Sequence, residues 1–222
     1  MDTRTIGATN RVIRRAGRRS GGRPTAEAAV LLEITILDAA TTAFLADGYA
    51  DTTIEAIARA CRVAKRTIYA RWSGKPPLFH AVLERLMSKW LSDAGDWAET
   101  DDLEAALKDA AERILAIALT PEAIALNRLL IAESARFPEL PLMLRQAGSA
   151  EGTRRIASVL DRAIANGTLP PRDTSFAAEQ FLHLVLAGPQ RRALGLGPML
   201  DEHQIQAWRD ASVALFLKGV GS

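Results

Sequence analysis

The chain of 222 residues is poor in cysteine and histidine, the residues that build disulfides and most zinc sites. Its single cysteine, Cys61, excludes an internal disulfide and fits a reducing compartment. Its three histidines, His80, His183 and His203, are far apart and have neither the i, i+4 spacing nor the cysteine cluster of a zinc site. We therefore expect neither a metal nor a cofactor, and we expect Cys61 to be a buried small side chain rather than a redox sensor.

Long apolar runs and catalytic motifs are missing as well. No apolar run approaches the roughly 20 residues that cross a bilayer. The arginine-rich N-terminus has no apolar stretch behind it that would make a secretory signal. The serines lack a nucleophile-elbow pattern, and Gly-rich phosphate loops are absent. These absences favour a cytoplasmic protein that is not an enzyme and does not bind membranes.

Sustained alternation of apolar and polar residues, the mark of a β-sheet, does not occur either, and we predict an all-α fold. The first helix is predicted from its N-cap Thr25 to a stop at Asp47-Gly48, with Val30, Ile34, Leu37 and Phe44 on one face. Later helices are predicted over residues 103–119, 121–136, 152–166, 173–194 and 201–218, with a short irregular or helical piece around Pro138 and Pro141. Gly188-Pro189 is expected to kink or end the helix 173–194, because proline removes a helical hydrogen bond.

The net charge is only +2, but the cations are unevenly distributed. Seven arginines and one aspartate give residues 1–24 a net charge of +6, and six cations and one glutamate give residues 53–75 a net charge of +5. Residues 76–222 are acidic, with a net charge of −4. This concentration of cations in the N-terminal third indicates a polyanionic partner. Residues 1–24 are interpreted as a flexible basic arm, the alternative being a leader without contacts.

Residues Thr52 to Lys75 contain two short amphipathic helical patterns that meet at a three-residue turn. Thr52 and Glu55 fit a capping box that starts the first helix, whose apolar face is formed by Ile54, Ile57, Ala58 and Cys61. Ile68 and Trp72 are the inward pair of the second helix. The cations, hydroxyl and phenol that remain outside the core suit a DNA groove, so the spacing predicts a helix-turn-helix.

The segments TIEAIA (53–58) and VAKRTIY (63–69), followed by Trp72, Lys75, Leu78 and Phe79, strongly resemble the TetR family of bacterial transcriptional regulators. The specific resemblance covers roughly residues 26–86. It implies a helix-turn-helix domain over residues 25–75 and a larger helical ligand-binding and dimerisation domain over residues 76–222, after the arm. It also implies a homodimer that places the second helix of each motif in a major groove.

Carried over by position, the resemblance assigns Lys65, Arg66, Thr67 and Arg71 to base or phosphate contacts, and Thr53, Tyr69 and Lys75 to the DNA backbone. The alternative for the cations is a solvated helix face, and for Tyr69 a core position with its hydroxyl at the rim. Arg62 departs from the glycine common in the family's turn. A left-handed backbone there would cost on the order of 1 kcal/mol, so we expect either that strain or a different turn. Arg66 also departs from a commonly small residue, and we include both arginines in the DNA-binding set.

The C-terminal part offers two further sets of candidate residues, each with a packed core as the alternative. Candidates for a ligand cavity are Trp90, Trp97, Leu126, Asn127, Phe137, Met143, Phe181 and His183. Candidates for a dimer interface are Phe181, Leu184, Val185, Ile205, Trp208, Leu215 and Phe216.

The sequence thus predicts a ligand-responsive transcriptional repressor that binds a palindromic operator on double-stranded DNA as a homodimer. A small, largely apolar effector would release it, with the long helix after Pro76 as the lever between the domains. The open alternatives are an activator, a ligand-independent DNA binder, and a helical ligand-carrying protein with a vestigial DNA-binding unit. The identity of the effector and the operator sequence are not encoded in these patterns.

Overall fold

The computed structural model describes residues 26–95, 97 and 100–221, and in this part of the chain it contains ten α-helices and no strand. The predicted N-cap Thr25 and the basic arm 1–24 lie outside the described residues. The helices are α1 (Ala26–Asp51), α2 (Ile54–Ala60), α3 (Lys65–Tyr69), α4 (Lys75–Ala94), α5 (Leu103–Ala118), α6 (Pro121–Glu133), α7 (Glu139–Leu144), α8 (Glu151–Ala165), α9 (Thr174–Ala193) and α10 (Glu202–Val220). A π-helical turn, Arg145–Ser149, joins α7 to α8. The predicted all-α fold is confirmed.

Helix α1 is interrupted near its end, as the Asp47-Gly48 pair predicts. Gly48 has φ 83° and ψ 173°, which no helical residue adopts, and a last turn follows it. The predicted apolar face is correct only in the second half of the helix, where Leu37 and Phe44 are buried. Val30 and Ile34 are exposed, and before Ile36 it is Leu32 that packs, partly buried, against the core.

Two stretches have the length and composition of membrane-crossing helices. Helix α1 contains an 18-residue window of mean hydropathy 1.7, and α5 with α6 passes the same test across a 74° bend. The buried residues of α1 pack in a hydrophobic core with α2, α3 and α4.

The start of α2 corrects the sequence prediction by one residue. The N-cap is Thr53, whose hydroxyl oxygen accepts the Ala56 N–H at 3.1 Å. Thr52 is instead buried, and its hydroxyl donates to the Gly48 carbonyl at 2.6 Å. Thr52 is therefore used to close the end of α1, which leaves the next hydroxyl residue to cap α2.

Two hydrophobic cores organise the molecule. The first contains the buried faces of α1 to α4 together with Leu126, Leu129 and Leu140 from α6 and α7. The second is built from α5, α8, α9 and α10, with Phe181 and Phe216 in an edge-to-face contact at 5.0 Å between ring centroids. Because the first core includes α6 and α7, packing continues across the predicted boundary at residue 76.

Helix α9 does not end at Gly188-Pro189, contrary to one of the two expected outcomes. The helix continues to Ala193 with Pro189 buried inside it. Proline has no N–H for the carbonyl four residues earlier, that of Val185, and the indole N–H of Trp208 donates to this carbonyl at 3.0 Å. A Cβ on Gly188 would lie 2.3 Å from the Trp208 ring. The Gly-Pro pair therefore forms the seat of a tryptophan from α10.

Candidate nucleic-acid interface

The turn between α2 and α3 is a left-handed helix end. Arg62 has φ 55°, and among the residues that the structure describes it is the one residue other than glycine with a positive φ. Its N–H donates to the Arg59 carbonyl at 3.2 Å, and the Val63 N–H donates to the Ala58 carbonyl at 2.9 Å. These two bonds form a Schellman motif, which glycine usually completes. Of the two expected outcomes, the structure adopts the strained one, and the Arg62 side chain is exposed three residues before α3.

Helix α3 separates one buried side chain from a polar, exposed face. Ile68 is fully buried in the first core and fixes the helix to the domain. Lys65 and Arg66 are exposed, Thr67 is half-buried, and Tyr69 keeps 50% of its surface accessible. A phenol that large and that exposed is not a core residue, so the structure favours the surface interpretation of Tyr69.

Lys65 is paired with a carboxylate from α2. Its ammonium lies 2.7 Å from Glu55, and both side chains are about half exposed. This hydrogen bond raises the pKa of Lys65 and lowers the pKa of Glu55. An exposed pair of this kind contributes little to stability, so Lys65 can exchange its partner for a phosphate or a base at small cost. The sequence pattern predicted Glu55 as a capping-box residue, and its pairing with Lys65 from the next helix was not predicted.

Arg71 and Lys75, two of the predicted DNA contacts, are engaged inside the protein. The Arg71 guanidinium donates to the Ala29 carbonyl at 3.3 Å and lies 3.8 Å from Glu33, so it holds α1. The Lys75 ammonium donates to the carbonyls of Tyr49 and Ala50 at 2.8 and 2.9 Å. Their DNA contacts stay predictions, and they would have to use the remaining donors of each cation.

Thr53 and Thr67 lie at the starts of α2 and α3, the first as the N-cap and the second in the first turn. Thr53 is exposed, and its oxygen caps α2. The Thr67 N–H donates to the Ala64 carbonyl at 2.8 Å, which makes α3 a single tight turn at its start. Both hydroxyl groups keep their own protons available as donors to a phosphate oxygen.

The candidate ligand-cavity residues do not line one common cavity but are divided between the two cores and the surface. Leu126 is buried in the first core, and three other candidates pack against that core as partly buried residues: Trp90, Phe137 and Met143. Trp97 packs against the second core, in which Phe181 is fully buried in contact with Phe216. Asn127 is half-buried, and His183 is exposed. Phe181 and His183 thus do not share a cavity wall, because the period of α9 turns one inward and the other to the surface.

Two cavities flank the exposed Ala116 of α5. One, of about 220 Å³, lies between the end of α4, α5 and the start of α6, and Trp90 is among its lining residues. The indole nitrogen of Trp90 is buried without a hydrogen-bond partner. The other, of about 330 Å³, lies between α5 and α10 and includes Ile205. In the described part of the chain, no group of three or more His, Cys, Asp or Glu residues could hold a metal ion.

The candidate dimer residues differ in what they can offer to a second copy. Leu215 is exposed at 61% on α10, and Leu184 and Ile205 are half-buried. Val185 is fully buried within the protomer, and Trp208 is engaged with the Val185 carbonyl. The Val185 side chain therefore gives a partner no surface, because α9 turns it toward the second core.

Comparisons with known proteins agree with this geometry. Residues 36–82 match the family model of bacterial regulatory proteins of the TetR family, and residues 105–219 match the C-terminal domain model of AefR-like transcriptional repressors. No curated protein sequence matches the chain significantly.

Solved structures give the same result over most of the chain. The flavonoid-responsive regulator FrrA is 31% identical, with 86% of this chain and 97% of FrrA covered and a TM-score of 0.74. A candidate TetR-family transcriptional regulator from Mesorhizobium loti MAFF303099 is 27% identical, with 87% and 98% covered and a TM-score of 0.74. A TetR regulator from Agrobacterium tumefaciens, 24% identical with 86% and 95% covered and a TM-score of 0.69, shares the fold. With a matching helix-turn-helix and a matching C-terminal domain, the chain belongs to the TetR family of transcriptional regulators.

Proposed function

We propose that the protein is a homodimeric repressor that binds a palindromic operator and is released by a small, largely apolar effector. The observation that carries the proposal is the division of α3, in which Ile68 is fully buried while Lys65, Arg66 and Tyr69 stand exposed together. A helix anchored by one apolar residue and presenting cations and a phenol is built to enter a major groove.

The division of labour within this surface follows from side-chain chemistry. Arg66 is exposed in the first turn of α3, and an arginine there can donate two parallel hydrogen bonds to a guanine. Lys65, Arg62 and the hydroxyls of Thr53, Thr67 and Tyr69 are suited to phosphates, which position the helix without reading sequence. Arg71 and Lys75 fix the domain and add a weaker phosphate contact each.

The homodimer rests on α9 and α10. Phe176 and Leu215 are exposed at 61% each on these two helices, which also bury Phe181 and Phe216 between them. Large apolar side chains left exposed on adjacent helices favour a helical contact with a second copy. Two recognition helices about 34 Å apart would then match half-sites one helical turn apart.

The effector site is proposed at the cavity between α4, α5 and α6. The buried indole N–H of Trp90 has no acceptor, and a ligand carbonyl or hydroxyl oxygen would satisfy it. The similar FrrA is named as flavonoid-responsive, and an oxygenated aromatic molecule has the matching chemistry. Such a ligand would act by binding one dimer geometry more tightly than the other.

Binding of the purified protein to DNA upstream of its own gene tests the proposal. We expect a saturable complex that resists unspecific competitor DNA, and its loss in Arg66→Ala with unchanged helicity and dimerisation. Equal affinity of Arg66→Ala for the operator would contradict the assignment of α3. A complex that forms only in the presence of an effector would contradict release of the operator by that effector.

The effector site has its own test. We expect an oxygenated aromatic compound such as a flavonoid to release the DNA and to quench the fluorescence of Trp90. The Trp90→Phe variant should keep DNA binding, but the same compound should release much less of its DNA. Release of DNA from Trp90→Phe at the same effector concentration as from the wild type would place the effector elsewhere.

A further inference from the structure

One peptide group at the end of α1 is held between two charged side chains from other helices. The N–H of Ala50 donates to both carboxylate oxygens of Glu133, at 3.0 and 3.2 Å. The carbonyl of the same peptide group, that of Tyr49, accepts the Lys75 ammonium at 2.8 Å. Glu133 ends α6 and Lys75 begins α4, so the Tyr49–Ala50 peptide connects three helices.

The backbone before this peptide is shaped to admit the carboxylate. A Cβ on Gly48 would lie 2.7 Å from an oxygen of Glu133, a distance that no ordinary contact allows. Gly48 also has φ 83°, a conformation that favours glycine, and a side chain added there would displace the Glu133 carboxylate from its present position. The approach of Glu133 to α1 is therefore part of the local design of this turn.

The environment of the peptide strengthens the contact. Burial lowers the pKa of Lys75, the negative charge of Glu133 opposes that shift, and the nearby Arg136 adds to it. The ammonium lies 4.7 Å from the centroid of the Tyr49 ring, and the Phe137 ring packs edge-to-face on the same tyrosine at 4.9 Å. Partly desolvated charged hydrogen bonds are stronger than exposed ones.

The position of the peptide in the chain gives the contact its consequence. Three residues after Ala50, Thr53 caps α2, so the direction in which the helix-turn-helix leaves α1 is set here. We propose that Glu133 is a positioning residue for DNA binding, which fixes α2 and α3 relative to α6 and so couples the C-terminal helices to the recognition helix. The inference rests on the proposed function, because it concerns the same DNA interface.

The test compares variants of Glu133 in the full chain on a duplex selected from a random-sequence pool by the wild-type protein. Glu133→Ala should bind about tenfold more weakly, the loss expected when one charged hydrogen bond disappears. The slope of affinity against salt should not change, because Glu133 touches no phosphate. Glu133→Gln keeps an acceptor oxygen and should recover most of the affinity. Hydrogen exchange at the Ala50 amide should be slow in the wild type and fast in Glu133→Ala.

Glu104→Ala is the matched control, since Glu104 also lies in the C-terminal part but pairs within its own helix, with Lys108 at 2.7 Å. It should bind the duplex as the wild type does. If Glu133→Ala does not fold, Glu133→Asp takes its place, because it keeps the charge but is too short to reach Ala50. Wild-type affinity in the folded variant, or a lowered salt slope, would overturn the inference. A wild-type protein that selects no duplex would contradict the proposed function itself, and the inference with it.

Discussion

At the scale of single residues, the DNA-binding surface is built from side chains whose exposure the helical period predicts. Ile68 inward and Lys65, Arg66 and Tyr69 outward follow from their spacing alone. The spacing cannot predict which group forms an ion pair or a hydrogen bond with each of these cations. Lys65 meets Glu55 from another helix, and Arg71 meets the backbone of α1, because these contacts depend on how helices are placed in space.

Arg62→Gly separates backbone strain from DNA contact. Because Arg62 is left-handed, the substitution should raise the free energy of unfolding by about 1 kcal/mol in urea titrations at fixed protein concentration. The affinity for DNA should fall, since a cation three residues before α3 is lost. Arg59→Gly, at an exposed position in the last turn of α2, is the control and should lower stability by up to about the same amount. A stability loss in Arg62→Gly would contradict the strained turn.

Tyr49 provides a residue-scale test of the first core. Burial raises its pKa, and the charges of Glu139 and Glu133 raise it further. The folded protein should therefore keep this phenol protonated above pH 10, and the free energy of unfolding should fall as the pH rises from about 10 through the folded pKa. The chain has two tyrosines, so a Tyr69→Phe variant isolates the tyrosinate absorbance of Tyr49. If the pH midpoint of this absorbance were the same in the folded protein and in the protein unfolded by urea, the burial of Tyr49 would be contradicted.

At the scale of elements, the sequence predicted most helix starts because the caps are local. Asp102, Thr120, Asp173 and Asp201 accept N–H groups of the first turns that follow them. The error at α9 occurs because a distant residue compensates for a local signal. Pro189 predicts a break, but Trp208 takes the carbonyl that proline leaves unbonded, and α9 continues. The partner of Ala50, Glu133, is 83 residues away, and no local pattern indicates it.

The pairing of α9 with α10 is tested at Gly188. An added Cβ would lie 2.3 Å from the Trp208 ring, so Gly188→Ala should lower the free energy of unfolding by about 1–3 kcal/mol. Gly152→Ala is the control, because no atom lies within 4 Å of its added Cβ, and it should be neutral or gain up to about 1 kcal/mol. Thermal and urea unfolding measure both. Equal stability of the two variants would show that the tryptophan seat tolerates a methyl group.

At the scale of the whole molecule, two cores meet between the recognition helix and the proposed dimer helices. The first core joins the DNA-binding helices to α6 and α7, and the second joins α5 to α8, α9 and α10. We propose that a change in the C-terminal helices reaches the helix-turn-helix through α6 and its Glu133 contact with Ala50. The ligand-cavity residues predicted from sequence are split between the two cores because composition does not specify which helix faces meet.

Leu215 tests the dimer that a palindromic operator requires. Leu215→Glu places a carboxylate on the exposed apolar face of α10 and should convert a dimer of 24.0 kDa chains to monomers at micromolar concentration. Ile131→Glu, equally exposed on α6, is the control and should stay dimeric. Light scattering after size exclusion gives the mass. A dimer that survives Leu215→Glu would move the interface away from this part of α10.

The most direct test of the account is the affinity for operator DNA of Lys65→Ala compared with Lys89→Ala. Both lysines are exposed and form an ion pair of nearly equal length, 2.7 Å with Glu55 and 2.8 Å with Glu122, but only Lys65 lies on the recognition helix. We predict that Lys65→Ala weakens binding by about 1–3 kcal/mol while Lys89→Ala binds as the wild type does. Equal affinity of the two variants would contradict the claim that α3 reads the DNA.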